Sequence, residues 1–392
     1  MKYGILSLSL GAFAIGVTEF TPMGLLPSIA SGLQVSIPAA GMLVSAYAFG
    51  VMLGAPVMTL LLGATRRRQA LMILMAIYTL GNLAAAAAPS YMGLMAARVL
   101  TSMAHGAFFG LGAMVATSLV PPERRASAVS AMFMGLTIAN VGGVPMATWL
   151  GQQVGWRMAF LATSLLGVAT MLGLWRALHR GEAPSRPDVG RELKVLTRPA
   201  VLNALATTVG SSAAMFTLYT YVAPTLHRLA HADGTMVTLM LAVIGVGFSL
   251  GNVLSGRLAD RSVNVTLLGF LLAVAVLSFA FPLVARTPLG AGIMLLLWGA
   301  ATFGVCTPVQ MRVMHEAQDA PALASSVNIG AFNLGNAVGA AAGGAALSMG
   351  LDYRWIGPVG GLLALLSVLL VLWRWKASAT PTLPAGCAGE SA

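Results

Sequence analysis

Polar residues in this chain come in short clusters, and the runs between them are long and apolar. By apolar length the runs lie near residues 4–28, 38–63, 69–88, 91–119, 126–150 and 158–176. A second series lies near 199–225, 235–255, 263–285, 288–310, 323–348 and 355–375. Most match or exceed the roughly 20 residues a helix needs to cross the hydrocarbon of a bilayer. The pattern predicts an all-α, polytopic membrane protein of twelve transmembrane helices. A polar, proline-containing stretch at 177–198 divides them into bundles of six. The expected organisation is a first bundle at 1–176, a linker at 177–198, a second bundle at 199–376 and a tail at 377–392.

Composition narrows this further. Hydrophobic residues make up 58 % of the chain and charged residues 8 %, against about a quarter charged in soluble domains. Lipid is therefore the expected solvent, and no run is left over for a separate soluble domain. The net charge of +11 could suggest nucleic acid, but the cations sit in short loops, with no basic domain, so no nucleic-acid partner is expected. They act as topology signals. Of the 22 Lys and Arg residues, 17 fall on the side of the N-terminus, four (Arg157, Arg228, Arg286 and Arg354) fall on the other, and Arg98 lies within a span. Positive charge is retained on the cytoplasmic side, which predicts cytoplasmic termini and a cytoplasmic linker. Met1-Lys2 and Ser28-Ile29-Ala30 imitate a secretory leader, but the run is too long, contains Glu19 and leads into further spans. Cys306 and Cys387 are far apart and lack metal-ligand spacing, so neither a disulfide, a metal site nor an organic cofactor is expected.

The two bundles echo each other. Gly50-Val51-Met52-Leu53-Gly54 recurs as Gly247-Phe248-Ser249-Leu250-Gly251, and Ala126-Ser127-Ala128-Val129 recurs as Ala324-Ser325-Ser326-Val327. Two matches at about half the chain length indicate a duplicated unit. Parallel repeats with a binding site between them are a recurring transporter plan.

Chemistry concentrates in a few buried polar residues. Glu19 is the only acid inside an apolar run, and an ionisable group at that depth is costly enough to point to function. It lies about 15 residues into an outward-running helix, or roughly 22 Å. A carboxyl that alternates between wet and dry surroundings takes up and releases a proton in each cycle. The competing reading is a structural acid bonded to Thr18, Thr21 or backbone. Arg98, at similar depth in the fourth span, is either its counter-charge or a guanidinium that snorkels outward or braces carbonyls. His105, two helical turns on, shares the face of Arg98 and serves as a relay, a substrate contact or a packed neutral ring. Gly142, Gly143 and Pro145 remove side chains and a backbone donor mid-span, permitting close helix contact and a kink. Phe20, Asn140, Tyr219, Trp298, Gln310, Asn328 and Asn333 are candidates for a substrate cavity.

These motifs together resemble the major facilitator superfamily over essentially the whole chain. Gly256-Arg257-Leu258-Ala259-Asp260-Arg261 looks like the family's signature after the second helix of a half. The first-half counterpart, Gly63-Ala64-Thr65-Arg66-Arg67-Arg68, keeps the basic cluster and lacks the acid. Ala97-Arg98-Val99-Leu100 with His105-Gly106 resembles the family's buried-arginine motif, and Asn140-Val141-Gly142-Gly143-Val144-Pro145 a variant of its antiporter motif. With Thr18-Glu19-Phe20, Gly24-Leu25-Leu26-Pro27 and Ser36-Ile37-Pro38-Ala39-Ala40-Gly41, the resemblance is to the proton-coupled efflux branch, in particular arabinose efflux permease-type transporters of the bacterial inner membrane. It implies a non-enzymatic, monomeric carrier that exchanges a small amphipathic or sugar-like molecule for protons. Gly256, Arg257, Asp260 and Arg261, with Arg66 to Arg68, would form a gate that breaks on inward opening. A facilitator or proton symporter of the same fold remains the alternative, with a non-transporting receptor behind it.

Overall fold

The computed structural model describes residues 2–35, 37–179 and 189–379. Among these, every regular element is helical. The first half contains α1 (Lys2–Leu33), α2 (Ile37–Leu61), α3 (Arg67–Ala87), α4 (Tyr91–Ser118), α5 (Arg125–Ile138), α6 (Val144–Val154) and α7 (Trp156–Ala177). A five-residue π turn, Ala139–Gly143, joins α5 to α6 within one span. After the short α8 (Val189–Leu196), the second half contains α9 (Pro199–Thr220), α10 (Val222–Ala230), α11 (Gly234–Ala259), α12 (Val263–Val284), α13 (Pro288–Gly304), α14 (Cys306–Glu316), α15 (Pro321–Ser348) and α16 (Ile356–Ala379). The pairs α5/α6, α9/α10 and α13/α14 each continue one crossing, which gives the expected six and six. Several helix starts are fixed locally. Ser90, Asp233 and Thr287 accept hydrogen bonds from the amides of Gly93, Met236 and Gly290 at 3.2, 2.7 and 3.1 Å, satisfying first-turn donors that have no intrahelical partner.

Eleven of the twelve crossings are long and apolar enough to span a bilayer by length and composition. The twelfth, α15, carries Asn328, Asn333, Asn336 and a series of glycines and serines. It is sheltered instead by the helices it touches, α9 in its own half and α2 and α4 in the other.

The sequence echoes map onto equivalent packing. A Cβ added at Gly54 would lie 2.7 Å from the Cα of Met103, and one at Gly251 would strike the carbonyl of Ala300. The glycine pairs thus let α2 close on α4 and α11 on α13. The second echo joins the halves. Ser130, one residue beyond it in α5, packs on α11, and Ser326 in α15 packs on α2. The stretch read as solvated linker is partly structured: α8 buries Val195 against Val201, Val313 and Ala317, while residues 180–188 lie outside the described residues. So do residues 380–392, most of the expected tail, and Ser36 of the motif before α2.

Inter-half hydrogen bonds cluster towards the end of the molecule that carries Lys2 and the arginine-rich loops. Thr59 Oγ donates to Ser326 Oγ at 2.6 Å. Ser130 Oγ donates to the Asn252 carbonyl at 2.5 Å, and Asn252 Nδ2 returns a bond to the Ser130 carbonyl at 2.9 Å. Asp260 accepts from the amides of Ala126 and Ser127 at 2.9 and 3.2 Å and from the Ser127 hydroxyl. Such bonds average about 0.6 kcal/mol between helices in a membrane, so closure at this basic end rests on several acting together.

Candidate substrate and proton site

A cavity of about 110 Å³ lies between the halves, on the far side of these bonds from the basic end. The first half contributes Glu19, Phe20, His105, Phe109, Phe133 and Asn140. The second contributes Ser211, Ser212, Tyr219, Phe248, Asn333 and Asn336, with further apolar residues from both. Its surface is mostly aromatic and aliphatic with a few convergent polar groups, the usual make-up of a site for an amphipathic small molecule.

Helix phase explains the first-half wall. Arg98 and His105 are seven residues apart on α4 and face the same way, towards α1 and α2. The Glu19 side chain, 16 % exposed, places Oε2 4.0 Å from His105 Nε2, whose ring is 5 % exposed. On its other edge, His105 Nδ1 lies 3.2 Å from the Tyr47 hydroxyl. A phenol donating to Nδ1 leaves the ring proton on Nε2, directed at the carboxylate. Behind this pair, Arg98 is almost fully buried. Its Nη1 donates to the Thr18 carbonyl at 2.8 Å and its guanidinium stacks over Tyr47 at 4.1 Å. The Thr18 hydroxyl lies 2.6 Å from that of Tyr78, which donates to the Ala14 carbonyl at 2.6 Å.

Arg98 thus takes the bracing position and not the direct ion pair. The carboxylate's neighbour is His105, and the guanidinium fixes the backbone of α1 one residue before Glu19. Two of its nitrogens, Nε and Nη2, lack a hydrogen-bond partner among the described residues. The guanidinium stays charged, so its influence on the carboxyl is electrostatic and involves no shared proton. Tyr47 and Tyr78, absent from the sequence candidates, complete the cluster. A lone tyrosine in an apolar run gives no periodic signal, and only packing shows that the Tyr47 hydroxyl meets α4 and the Tyr78 hydroxyl meets α1.

The π turn, Ala139–Gly143, takes in Asn140, Gly142 and Gly143. Pro145 has no amide to donate to the Val141 carbonyl, so the regular helical ladder is interrupted there. Asn140 reaches the cavity wall from it, while Gly143 lies against Phe13 and Val17 of α1.

Phe20, Tyr219 and Asn333 also lie in the wall. Trp298, Gln310 and Asn328 do not. Trp298 is fully buried, with its indole donating to Ser278 Oγ at 3.2 Å between α13 and α12. Gln310 donates to Ser325 and accepts from Asn328 Nδ2 at 2.5 Å, and Asn328 Oδ1 accepts from Thr208 at 2.6 Å. These amides are consumed in ties between α14, α15 and α9, because a buried amide left unpaired is expensive. The cavity residues that replace them are Ser211, Ser212 and Asn336.

The arginines of the two loop motifs also separate. Asp260 contacts main chain across the interface, whereas Arg257 and Arg261 are exposed. Arg68 turns away from the interface, donating to the Leu178 carbonyl at 3.3 Å and lying over Trp175 at 5.9 Å. Arg66 precedes α3 as its exposed N-cap, and Arg67 faces a second cavity at the basic end.

Two six-helix halves with a mainly apolar cavity between them define a carrier of small molecules across a membrane. The chain belongs to the Major Facilitator Superfamily, whose family model matches residues 8–328. Over 371 residues it is 61 % identical to the inner membrane transport protein YdhP of Escherichia coli (strain K12), covering 95 % of each chain. It is 34 % identical over 393 residues to the putative transporter AraJ of the same organism, covering 98 % of this chain and 99 % of that one. The solved structure of the proton:xylose symporter XylE bound to 6-bromo-6-deoxy-D-glucose matches with a TM-score of 0.75 over 95 % of each chain at 14 % identity, a likeness of fold alone. The protein is a multi-pass inner-membrane transporter.

Proposed function

We propose that this transporter exports a small amphipathic or sugar-like molecule in exchange for protons, with Glu19 as the proton-carrying group. The observation that carries the reading is the position of Glu19: a carboxyl in the wall of an otherwise mainly apolar cavity, with His105 Nε2 4.0 Å away. A charged group in such surroundings is costly, so its protonation state and the wetness of the cavity are linked. Water admitted from one side favours the carboxylate, and closure around the group favours the protonated form. Substrate arriving in the same cavity competes for the space and dielectric that decide between them.

Orientation follows from the loop charges, with both termini and the basic end in the cytoplasm. The bonds from Thr59, Ser130 and Asp260 then stand between the cavity and the cytoplasm. Opening of the opposite gate completes alternating access, with the halves rocking about the central site. The proton and the substrate must each bind the two states unequally, since a ligand that does not discriminate shifts nothing. The carrier works as a monomer, with the proton as coupling ion and no further cofactor.

Purified protein in proteoliposomes under imposed pH gradients tests this. Antiport predicts that substrate flux reverses when the gradient is reversed and that substrate releases protons from the detergent-solubilised protein. Flux in the same direction as the protons would establish a symporter instead. Glu19→Gln should insert and fold normally yet lose gradient-driven flux, and full proton-driven transport by this variant would overturn the assignment.

A further inference from the structure

α1 runs unbroken from Lys2 to Leu33 and passes through Pro22, three residues after Glu19. A proline has no amide, and its ring crowds the carbonyl one turn back and turns it off the helix axis. The carbonyl freed in this way is that of Thr18, the residue immediately before Glu19. Thr18 is buried, which shields that oxygen from bulk water, and a buried carbonyl without a donor is costly. The donor it finds is Arg98 Nη1, at 2.8 Å.

This contact decides where a buried cation goes. Arg98 is itself buried, and its Nε and Nη2 lack a hydrogen-bond partner among the described residues. Glu19 is the acid of the same cluster, and a guanidinium pairs with a carboxylate through strong charge-assisted hydrogen bonds. Arg98 nonetheless makes no ion pair with Glu19, whose partner is His105 at 4.0 Å. Nη1 on the Thr18 carbonyl and the guanidinium over the Tyr47 ring at 4.1 Å hold the cation against the backbone of α1 instead. The other titratable groups of the cluster and the cavity wall are Tyr47 of α2, Tyr78 of α3, Tyr219 of α9 and Cys306 of α14. None of these carries a positive charge in either protonation state. Apart from His105, Arg98 is therefore the one cation among these groups able to capture the carboxylate.

We propose that Pro22 is a positioning residue of the proton site: by withholding an amide it creates the acceptor that anchors Arg98, and so keeps the guanidinium from capturing Glu19. The carboxyl is left to His105 and the cavity, where its proton can exchange. This rests on Glu19 as the proton-carrying group and adds what keeps that group exchangeable. Any residue with an N–H at position 22 would draw the Thr18 carbonyl into the helical ladder. Arg98, with none of its nitrogens then bonded, would turn to the carboxylate beside it.

The test is modification of Glu19 in the purified full chain by dicyclohexylcarbodiimide, which reacts with protonated carboxyls, read by mass spectrometry of the Glu19 peptide. Pro22→Ala restores an amide within a helix, so it should fold as the parent does, with an equal or higher Tm. Its Glu19 labelling in mildly acidic buffer should fall about tenfold or more, the scale of one charge-assisted hydrogen bond. Adding Arg98→Gln to Pro22→Ala should restore the labelling because the capturing charge is gone, whereas a plain packing defect would persist. Lactic acid at position 22 forms an ester that lacks the N–H as proline does, and should label like the parent. Undiminished labelling in Pro22→Ala, a loss that Arg98→Gln does not restore, or the same loss with lactic acid would overturn the proposal. If the double variant fails to fold, the contrast between alanine and lactic acid decides alone. The reading of Glu19 as proton carrier fails separately, by gradient-driven flux retained in Glu19→Gln, a result that leaves the labelling contrast as it stands.

Discussion

The two walls of the central cavity solve the problem of polarity in a membrane in different ways. The first half gathers charge-bearing groups: Glu19 and His105 at the surface, and Arg98 braced behind them by Thr18 and Tyr47. The second half offers hydroxyls and amides, such as Ser211, Ser212, Asn333 and Asn336, which are held by partners within that half, either across α9 and α15 or within one helix. Ser212 Oγ donates to Asn336 Oδ1 at 2.5 Å, and Asn333 Nδ2 to the Ile329 carbonyl at 2.9 Å. Neutral polar groups satisfy one another within the bundle at small cost, whereas an ion needs either a partner or a change of state. The difference teaches that a duplicated fold need not duplicate its chemistry. On the proposed mechanism the first half handles the proton, and the second mainly reads the solute.

The largest effect that could break this division is that of Glu19→Gln, which should remove gradient-driven flux altogether. Retained coupling in that variant would move the proton site elsewhere. Next comes the interface the halves share. A side chain at Gly110 of α4 would meet the Ser326 amide at 2.7 Å, so Gly110→Val should wedge α4 from α15. Overpacking of this kind costs about 1–3 kcal/mol and should raise the labelling rate of a cysteine introduced into the interface at the basic end at least several-fold. Asp260→Ala uncaps the amides of Ala126 and Ser127. At about 1–2 kcal/mol for a lost cap, the ratio of closed to open state should fall roughly tenfold, read as a larger share of long spin-label distances between α5 and α11. The smallest effect belongs to the neutral wall. Asn333→Ala should raise KM by several-fold, the scale of one hydrogen bond of about 1 kcal/mol, while the proton-to-substrate ratio stays unchanged. A change in that ratio would show that the second half also handles the proton.

Span length, loop charge and the two short repeats made the fold readable from the sequence, even for α15, whose asparagines and glycines remove it from the clearly apolar runs. Glu19, Arg98 and His105 were readable as costly residues in apolar surroundings. Their connections were not. The seven-residue spacing aligns Arg98 with His105, but nothing along the chain says that the imidazole approaches the carboxylate while the guanidinium takes the Thr18 carbonyl. Trp298, Gln310 and Asn328 show the opposite limit. A polar residue within a span satisfies either a cavity or a neighbouring helix, and residue type alone does not distinguish the two. Asp260 illustrates a third case: the loop motif identified the acid, yet two of its three partners are backbone amides of α5, beside the Ser127 hydroxyl, and amides leave no mark in the sequence.

The π turn at Ala139–Gly143 sets the angular register of the fifth crossing. One extra residue in a helix rotates everything beyond it by about 100°. Before the turn, Ser130 meets α11; after it, Thr148 and Gly151 meet Gly24 and Leu25 of α1. The wider turn takes up one residue more than an α turn and so absorbs it locally. A residue added or lost elsewhere in the crossing, where no such turn takes up the change, would swing the stretch from Pro145 to Val154 off α1 with every side chain intact but aimed elsewhere, so the count of residues is under constraint as much as their identity.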